Sequence, residues 1–146
     1  MATLVENRKA RFDYEILETY EAGIELLGFE VKSLKKGQGS LEGAYVIIRG
    51  GEAYAVNMSV PPYQEKNTPP EYEPRRNRRL ILRKKEIREL ADVARGLTIV
   101  PISVYNKGSL VKVSLAVVRG KKQFDKRTAI KKREVDREVR REFSDR

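Results

Sequence analysis

Along most of the chain before residue 119, apolar residues either alternate with polar ones or occur in short runs. Both patterns are typical of β-strands. The first alternating set predicts a half-buried strand and consists of Phe12, Tyr14, Ile16 and Tyr20. The run "IELLGFE" at 24–30 predicts a second short strand with Gly28 at a bend. Val31 and Leu34 lie one helical turn apart, and Gly37 can end a short helix in the left-handed conformation. This part of the chain therefore predicts two strands and one short helix.

Two β-hairpins are predicted farther along the chain. Residues 44–56 ("AYVIIRGGEAYAV") place a favoured Gly-Gly turn pair between two β-rich runs. Residues 97–120 ("LTIVPISVYNKGSLVKVSLAVVRG") place an Asn-Lys-Gly turn at 106–108 between two longer runs. Pro101 has no N–H to donate to a strand ladder, so we expect it at a sheet edge or a bulge.

The segment between the hairpins contains a loop, a strand and a helix. Residues 61–74 contain five prolines, which predicts a long surface loop. The run "RLIL" at 79–82 predicts a short strand. Residues 83–96 predict a helix that ends at Gly96, because apolar residues recur at i, i+3, i+4 and i+7. These residues are Ile87, Leu90, Ala91 and Ala94.

These elements predict a mainly β fold with short flanking helices. The pattern gives about six strands, and the hairpins make them mostly antiparallel. A flat sheet of this size would expose unpaired edges, and closure into a barrel would remove them. We therefore expect a small closed antiparallel β-barrel of the oligonucleotide-binding (OB-like) type.

The last 28 residues, 119–146, differ in character from the rest of the chain. They contain 12 Lys/Arg and 6 Asp/Glu, so they supply +6 of the total formal charge of +10. Their helical pattern has one thin apolar stripe, formed by Val135, Val139 and Phe143, which cannot offset the entropy of ordering the segment. We therefore divide the chain into an RNA-binding body, 1–124, and a flexible basic tail, 125–146, that becomes helical when phosphates cancel its repulsion.

Composition narrows the classes of function. A basic chain with a pI of about 9.9 attracts polyanions, most often nucleic acid, with an anionic membrane as the rival. The chain has no Cys and no His, so it lacks thiolate metal ligands and the commonest general base. The apolar runs are too short to span a bilayer, and the first residues lack the apolar region of a signal peptide. We expect a soluble, cytoplasmic protein.

Five segments, taken together and in order, resemble the SmpB family. They are "NRKAR", "ILETYEAGIELLGFEVKSLKKG", "EPRRNRRLIL", "LTIVPISVYNKGSLVKVSLAVVRGKK" and "DKR". The likeness extends from about residue 6 to about residue 134. Basic clusters are common in many proteins, so the ordered set carries the resemblance rather than any one motif.

The resemblance implies a function in bacterial trans-translation. Family members bind the tRNA-like domain of tmRNA and deliver it to ribosomes stalled on a messenger without a usable stop codon. Their tail enters the empty mRNA channel and folds there. The implied partners are tmRNA, the ribosome with its 16S rRNA at the decoding centre and mRNA channel, and, indirectly, elongation factor Tu. The resemblance implies no enzyme activity, no cofactor, no metal and no membrane, and it favours a monomer.

The resemblance also implies a tmRNA-binding set. Its members are Asn7, Arg8, Lys9, Arg11, Phe12, Glu30, Lys32, Arg76, Arg78 and Arg79. Cations and an amide suit phosphate and ribose contacts. An acid such as Glu30 can accept from base amino groups or 2′-hydroxyls, or it can orient a cation. The plainer alternatives are a solvated basic surface and, for Glu30, an acid favoured at a helix start by the helix dipole.

A second implied set faces ribosomal RNA. It lies at the junction of body and tail and in the tail, and comprises Lys121, Lys122, Phe124, Asp125, Lys126, Arg127, Lys131, Lys132 and Arg133. Family members often have His where this chain has Phe12, and His or another aromatic where it has Phe124. A phenylalanine ring can stack on a base but cannot form a hydrogen bond or take up a proton.

Two alternatives remain open from the residues. The first is a general single-stranded or ribosomal RNA-binding barrel protein without a preference for tmRNA. The second is a nuclease with a metal held by carboxylates, since His and Cys are absent. The candidate carboxylates are Asp13, Glu15, Glu18 and Glu21, and residues 13, 15 and 21 share one face of a strand only if no bulge intervenes.

Overall fold

A computed structural model describes residues 2–64, 66 and 68–120, and the structural statements below concern these residues. The strands are β1 (Ala2–Glu6), β2 (Tyr14–Ile24), β3 (Tyr45–Arg49), β4 (Glu52–Val56), β5 (Arg78–Ile81), β6 (Thr98–Lys107) and β7 (Leu110–Gly120). The helices are α1 (Arg8–Asp13), α2 (Gly28–Lys35) and α3 (Lys84–Val93). The predicted tail, 125–146, and the whole predicted rRNA-binding set lie outside the described residues.

The strands form one sheet in the order β1-β6-β7-β2-β5-β4-β3, and each neighbouring pair is antiparallel. Within the described ranges β1 and β3 do not pair with each other, so the sheet has two edges. The prediction of a closed, OB-like barrel is therefore wrong. The sheet curls until β3 approaches β6 without pairing. Both edge strands are short, and each is contacted by a helix, β1 by α2 and β3 by α3. Short, covered edges are less able to pair with strands of other molecules.

Both predicted hairpins are confirmed. β3 and β4 pair across Gly50 and Gly51, whose φ angles of 60° and 76° are those of a type I′ turn. β6 and β7 pair from Thr98 to Lys107, so the turn consists of Gly108 and Ser109, and Asn106 and Lys107 lie in the strand rather than in the predicted turn at 106–108. The register shifts between Pro101 and Ser103. Since β6 lies between β1 and β7, Pro101 occupies a bulge rather than an edge.

The amino-terminal part of the chain differs from the prediction. Residues 2–6 form the edge strand β1, and Phe12 belongs to α1 rather than to a strand. The predicted strand at 24–30 is absent, because Ile24 ends β2 and Gly28 begins α2. Apolar residues in this run belong to two elements: Ile24 packs in the core from β2, and Leu27 is the N-cap residue of α2. The run is therefore the junction of a strand and a helix, which apolar content alone does not reveal.

The hydrophobic core lies on the concave side of the curled sheet. It collects buried residues from the strands, together with Leu34 of α2 and Leu90 of α3. A smaller cluster lies on the opposite side, where Ala10 of α1 packs near Val100 and Ile102 of β6. The main core thus anchors α2 and α3, and the smaller cluster anchors α1.

The proline-rich segment 61–74 contains no strand among its described residues and forms the predicted irregular loop. In the part of the chain that the structure describes, no helix is long and apolar enough to cross a membrane.

Candidate nucleic-acid interface

Asn7 fixes α1 to the body of the protein. Its side-chain oxygen accepts a hydrogen bond from the Ala10 backbone N–H at 3.1 Å, which caps the helix. Its side-chain nitrogen donates to the backbone oxygens of Leu41 at 3.1 Å and Pro101 at 3.0 Å. Asn7 is 4% exposed, so its amide holds α1 in place and is not presented to solvent.

The cations of α1 project from this anchored helix. The side chains of Arg8 and Lys9 are 90% and 63% exposed, and Arg11 is also exposed. Phe12 is 51% exposed to solvent. The ion pairs of Arg8 with Glu6 (3.9 Å) and Lys9 with Asp13 (3.5 Å) are long and exposed, and such pairs are weak. α1 therefore presents cations and one aromatic ring to solvent.

Glu30 lies at the centre of a buried polar cluster. Its carboxylate accepts hydrogen bonds from the Arg76 guanidinium at 2.7 and 3.0 Å and from the Arg78 guanidinium at 2.7 and 3.1 Å. It also accepts from the Leu27 backbone N–H at 2.7 Å, which satisfies one free backbone donor at the start of α2. Glu30 and Arg78 are both fully buried, so neither presents an atom to RNA in this structure.

Tyr72 completes the cluster. Its hydroxyl lies 2.7 Å from Glu30 Oε2 and 2.8 Å from the Val60 backbone oxygen, and it accepts from Arg78 at 3.1 Å. The hydroxyl has one proton, so it donates to one of the two oxygens at a time. The Tyr72 ring packs edge-on against Phe29, with centroids 4.7 Å apart. The cluster thus ties the loop 61–74 to α2.

The cluster changes the pKa values of its members. Burial alone would raise the pKa of Glu30, but hydrogen bonds from Arg76, Leu27, Arg78 and Tyr72 outweigh it and lower that pKa to about 2. Burial and the negative charge of Glu30 raise the pKa of Tyr72 to about 12. Glu30 is therefore an anion and Tyr72 a neutral phenol at neutral pH.

Arg76 and Arg79 are placed differently from Arg78. The Arg76 side chain is 30% exposed, and its bond to Glu30 raises its pKa. Arg79 is 38% exposed and bridges Glu52 at 3.1 Å and Glu25 at 2.8 Å. These two predicted residues remain accessible at the surface.

α2 presents a cationic surface next to the cluster. Lys32, Lys35 and Lys36, at its end, are exposed. The Tyr63 ring of the proline-rich loop lies beside two of these lysines, with its centroid 5.9 Å from Lys32 Nζ and 6.0 Å from Lys36 Nζ. Sequence analysis found Lys32 but missed Tyr63, Lys36 and Tyr72. The available signal was an aromatic residue after a Pro-Pro pair and lysines at i and i+4.

β1 connects the two cationic helices. It leads directly into α1 and also contacts α2. A surface depression of about 260 Å³ lies beside it, lined by residues of the β1–α1 junction and by residues 39–42 after α2. The exposed cations of α1 and α2 thus flank one edge of the sheet.

The carboxylates considered for a nuclease do not form a metal site. A bulge between Ile16 and Glu18 breaks the alternation of β2. Glu15 pairs with Arg119 at 3.2 Å, and Glu21 accepts from the Tyr105 hydroxyl and from Lys107. Among the described residues no group of three or more His, Cys, Asp or Glu side chains is placed to hold a metal ion.

This arrangement suits binding to a phosphate backbone. Exposed lysines and arginines on α1 and α2 can neutralise phosphates, while the acid of α2 is buried and already paired. Phe12 and Tyr63 add partly exposed rings beside these cations, a combination found in proteins that bind single-stranded RNA.

Comparison with known proteins finds a matching family model and similar sequences. The family model described as "SmpB protein" matches residues 4–145. A protein of Elusimicrobium minutum called "SsrA-binding protein" is 52% identical over 139 residues, covering 94% of this chain and 88% of its own length. A protein of the same name from Coprothermobacter proteolyticus is 47% identical over 145 residues, covering 97% of each chain.

A solved structure is also similar. It is described as "tmRNA-SmpB: a journey to the center of the bacterial ribosome", with a TM-score of 0.69 and 44% sequence identity. The match covers 88% of this chain and 95% of that chain. The likeness therefore includes the described fold as well as the sequence.

Proposed function

The chain belongs to the SmpB family, and we propose that it is the tmRNA-binding factor of bacterial trans-translation in its own cell. Members of this family are RNA-binding factors and not enzymes. The observation that carries the proposal is the family match over residues 4–145, which spans both the body and the tail.

The geometry supports a division of labour within the body. We assign direct contact with tmRNA to the exposed and partly exposed residues, which are Arg8, Lys9, Arg11, Phe12, Lys32, Arg76 and Arg79. We assign a supporting role to Asn7, Glu30 and Arg78, because their polar atoms are buried and engaged within the protein. Asn7 holds α1, and Glu30 with Arg78 holds α2 against the proline-rich loop.

We further propose how the factor acts on the ribosome. The body binds the tRNA-like domain of tmRNA and delivers it to a stalled ribosome in the cytoplasm, with elongation factor Tu as an indirect partner. The protein acts as a monomer. The tail, 125–146, enters the empty mRNA channel, where its cations contact 16S rRNA near the decoding centre. Its charge supports this, because the last 28 residues supply +6 of the net +10.

A salt-controlled binding competition tests the tmRNA assignment. The full chain is titrated with tmRNA, an elongator tRNA and a random single strand of equal length at near-physiological ionic strength. We expect tmRNA to bind most tightly, because charge alone gives little preference among RNAs. The binding constant should fall as the salt concentration rises. For each phosphate contacted, log K should fall by at least about 0.7 for a tenfold rise in salt.

Equal affinities for the three RNAs would support a general RNA-binding protein and reject the tmRNA assignment. Replacing Arg8 and Lys9 by Gln provides a matched check, because both are exposed and outside the buried cluster. This double variant should weaken binding and reduce the salt slope by about 1.4 or more, at about 0.7 per lost contact, while the protein stays folded.

A further inference from the structure

Tyr63 and two lysines of α2 form a small composite surface. The Tyr63 ring is partly exposed and lies 5.9 Å from Lys32 Nζ and 6.0 Å from Lys36 Nζ. These distances are at the outer limit of a cation–π contact, so the ring engages the two ammonium groups only weakly. Both lysines therefore remain able to bind a phosphate beside the ring.

The loop that carries Tyr63 is attached to the body on both sides of this residue. On one side the Ser33 hydroxyl of α2 donates to the Pro61 backbone oxygen at 2.6 Å. On the other side Tyr72 is held by the buried Glu30 cluster. Because the loop is anchored to α2 before any ligand arrives, little ordering entropy is lost when a base stacks on the ring.

The charge around the ring favours an anion. The exposed side chains of α2 include Lys32 and Lys35, with Lys36 directly after them, whereas Glu30 is buried and neutralised by two arginines. A ring flanked by cations matches the needs of a nucleotide, which has a flat base and a charged phosphate.

On the basis of the proposed tmRNA-binding function, we propose that Tyr63, Lys32 and Lys36 form a subsite for one unpaired nucleotide of the tRNA-like domain. The base stacks on the Tyr63 ring, and the adjoining phosphates lie near the two ammonium groups. The Glu30 cluster positions this subsite without touching the RNA.

Paired substitutions separate the two parts of the subsite. Tyr63→Leu removes the stacking surface and should weaken binding of the tRNA-like domain roughly 5- to 140-fold with an unchanged salt slope. Tyr63→Phe keeps the ring and should bind within about twofold of the unaltered protein. The double variant Lys32→Gln/Lys36→Gln should lower the magnitude of the slope of log K against log salt by about 1.4 to 1.8. The control variant Lys84→Gln, on α3, should bind tmRNA with unchanged affinity.

Photo-cross-linking of the unaltered protein to the tRNA-like domain, read by mass spectrometry of peptides, gives a test independent of variant folding. We expect a nucleotide adduct on Tyr63. Wild-type affinity of Tyr63→Leu, or adducts on other aromatic residues but none on Tyr63, would overturn the subsite. If either result occurred while the unaltered protein still preferred tmRNA, the proposed function would stand and only the subsite would fall. Loss of that preference in the unaltered protein would remove both.

Discussion

At the scale of single residues, Glu30 is a buried charge whose carboxylate is surrounded by hydrogen-bond donors. It is fully buried, and its carboxylate accepts from two arginines, one tyrosine and one backbone N–H. A buried charge costs several kcal/mol of desolvation unless its partners compensate. The cluster is therefore stable only as a complete set, and removing one member leaves another charge without its partner.

Substitution of Glu30 by Gln should strongly destabilise the fold. The change leaves the fully buried Arg78 without its counter-charge, and the expected loss of unfolding free energy is about 3 to 5 kcal/mol, measured by urea denaturation. Glu25→Gln is the matched control, because Glu25 also pairs with an arginine but is 55% exposed. Its effect should stay within about 1 kcal/mol. Similar losses in both variants would contradict the importance of burial.

The same variant tests the lowered pKa of Glu30. Because the pKa is about 2 in the folded state and 4.5 ordinarily, the unfolded chain takes up this proton at higher pH than the folded protein does. The carboxylate therefore contributes stability above pH 4.5, and this contribution of about 3 kcal/mol is lost as the pH falls from 4.5 towards 2. The stability difference between Glu30→Gln and the unaltered protein should shrink over that interval; a constant difference would contradict the assignment.

The sequence reveals only part of this cluster. The basic run containing Arg76, Arg78 and Arg79 and the acid at the start of α2 are visible as charged positions. The contacts among these residues are not visible in the sequence, because Glu30 is separated from Tyr72, Arg76 and Arg78 by 42, 46 and 48 residues. Residue type therefore identifies charged candidates, while only tertiary structure distinguishes an RNA-facing arginine from a buried one.

At the scale of secondary-structure elements, local turn chemistry predicted more than hydrophobic runs did. The Gly-Gly turn was predicted at its position, and Gly108 was correctly placed in the second turn, although Asn106 and Lys107 belong to β6. Pro101 was expected at an edge or a bulge, and it lies at a bulge. The boundary between β2 and α2 was missed because Leu26 and Leu27 continue an apolar run across it. The prediction that the sheet closes was also wrong. Whether the two edge strands meet depends on the curvature of the sheet and on the helices that contact its edges, and neither is evident from the strand pattern.

Close contact between α2 and the segment that follows it depends on a glycine. A Cβ atom built on Gly39 would lie 2.8 Å from Leu34 Cδ2, and Leu34 is fully buried. Gly39→Ala should therefore cost about 1 to 3 kcal/mol through overpacking, measured by thermal or urea unfolding. Gly96→Ala serves as the control, because nothing lies within 4 Å of its Cβ position, and it should be neutral or slightly stabilising. A neutral Gly39→Ala would show that Leu34 can move aside.

At the scale of the whole molecule, structure and charge are unevenly distributed. The described body has a continuous core and a sheet with every strand paired. The last 28 residues hold most of the net charge. This separation fits a factor in which one part recognises a folded RNA and another contacts the ribosome.

Removal of residues 125–146 should separate these two activities. We expect the truncated protein to bind the tRNA-like domain with the affinity of the full chain, because the proposed contacts all lie before Arg119. Peptide tagging on stalled ribosomes should be lost, because the cations proposed to contact 16S rRNA are mostly in the deleted segment. Affinity is measured by filter binding and tagging in a reconstituted translation system. A large loss of tmRNA affinity would contradict this division.

The pairing of β1 with β6 has a consequence for biosynthesis. Ala2 pairs with Asn106, so β1 has a partner that is synthesised about a hundred residues later. At about 5 to 20 residues per second, the amino-terminal segment must wait roughly 5 to 20 seconds before it can join the sheet. The hairpin of β3 and β4 joins strands that are adjacent in sequence, so it can form during synthesis before β1 meets its partner.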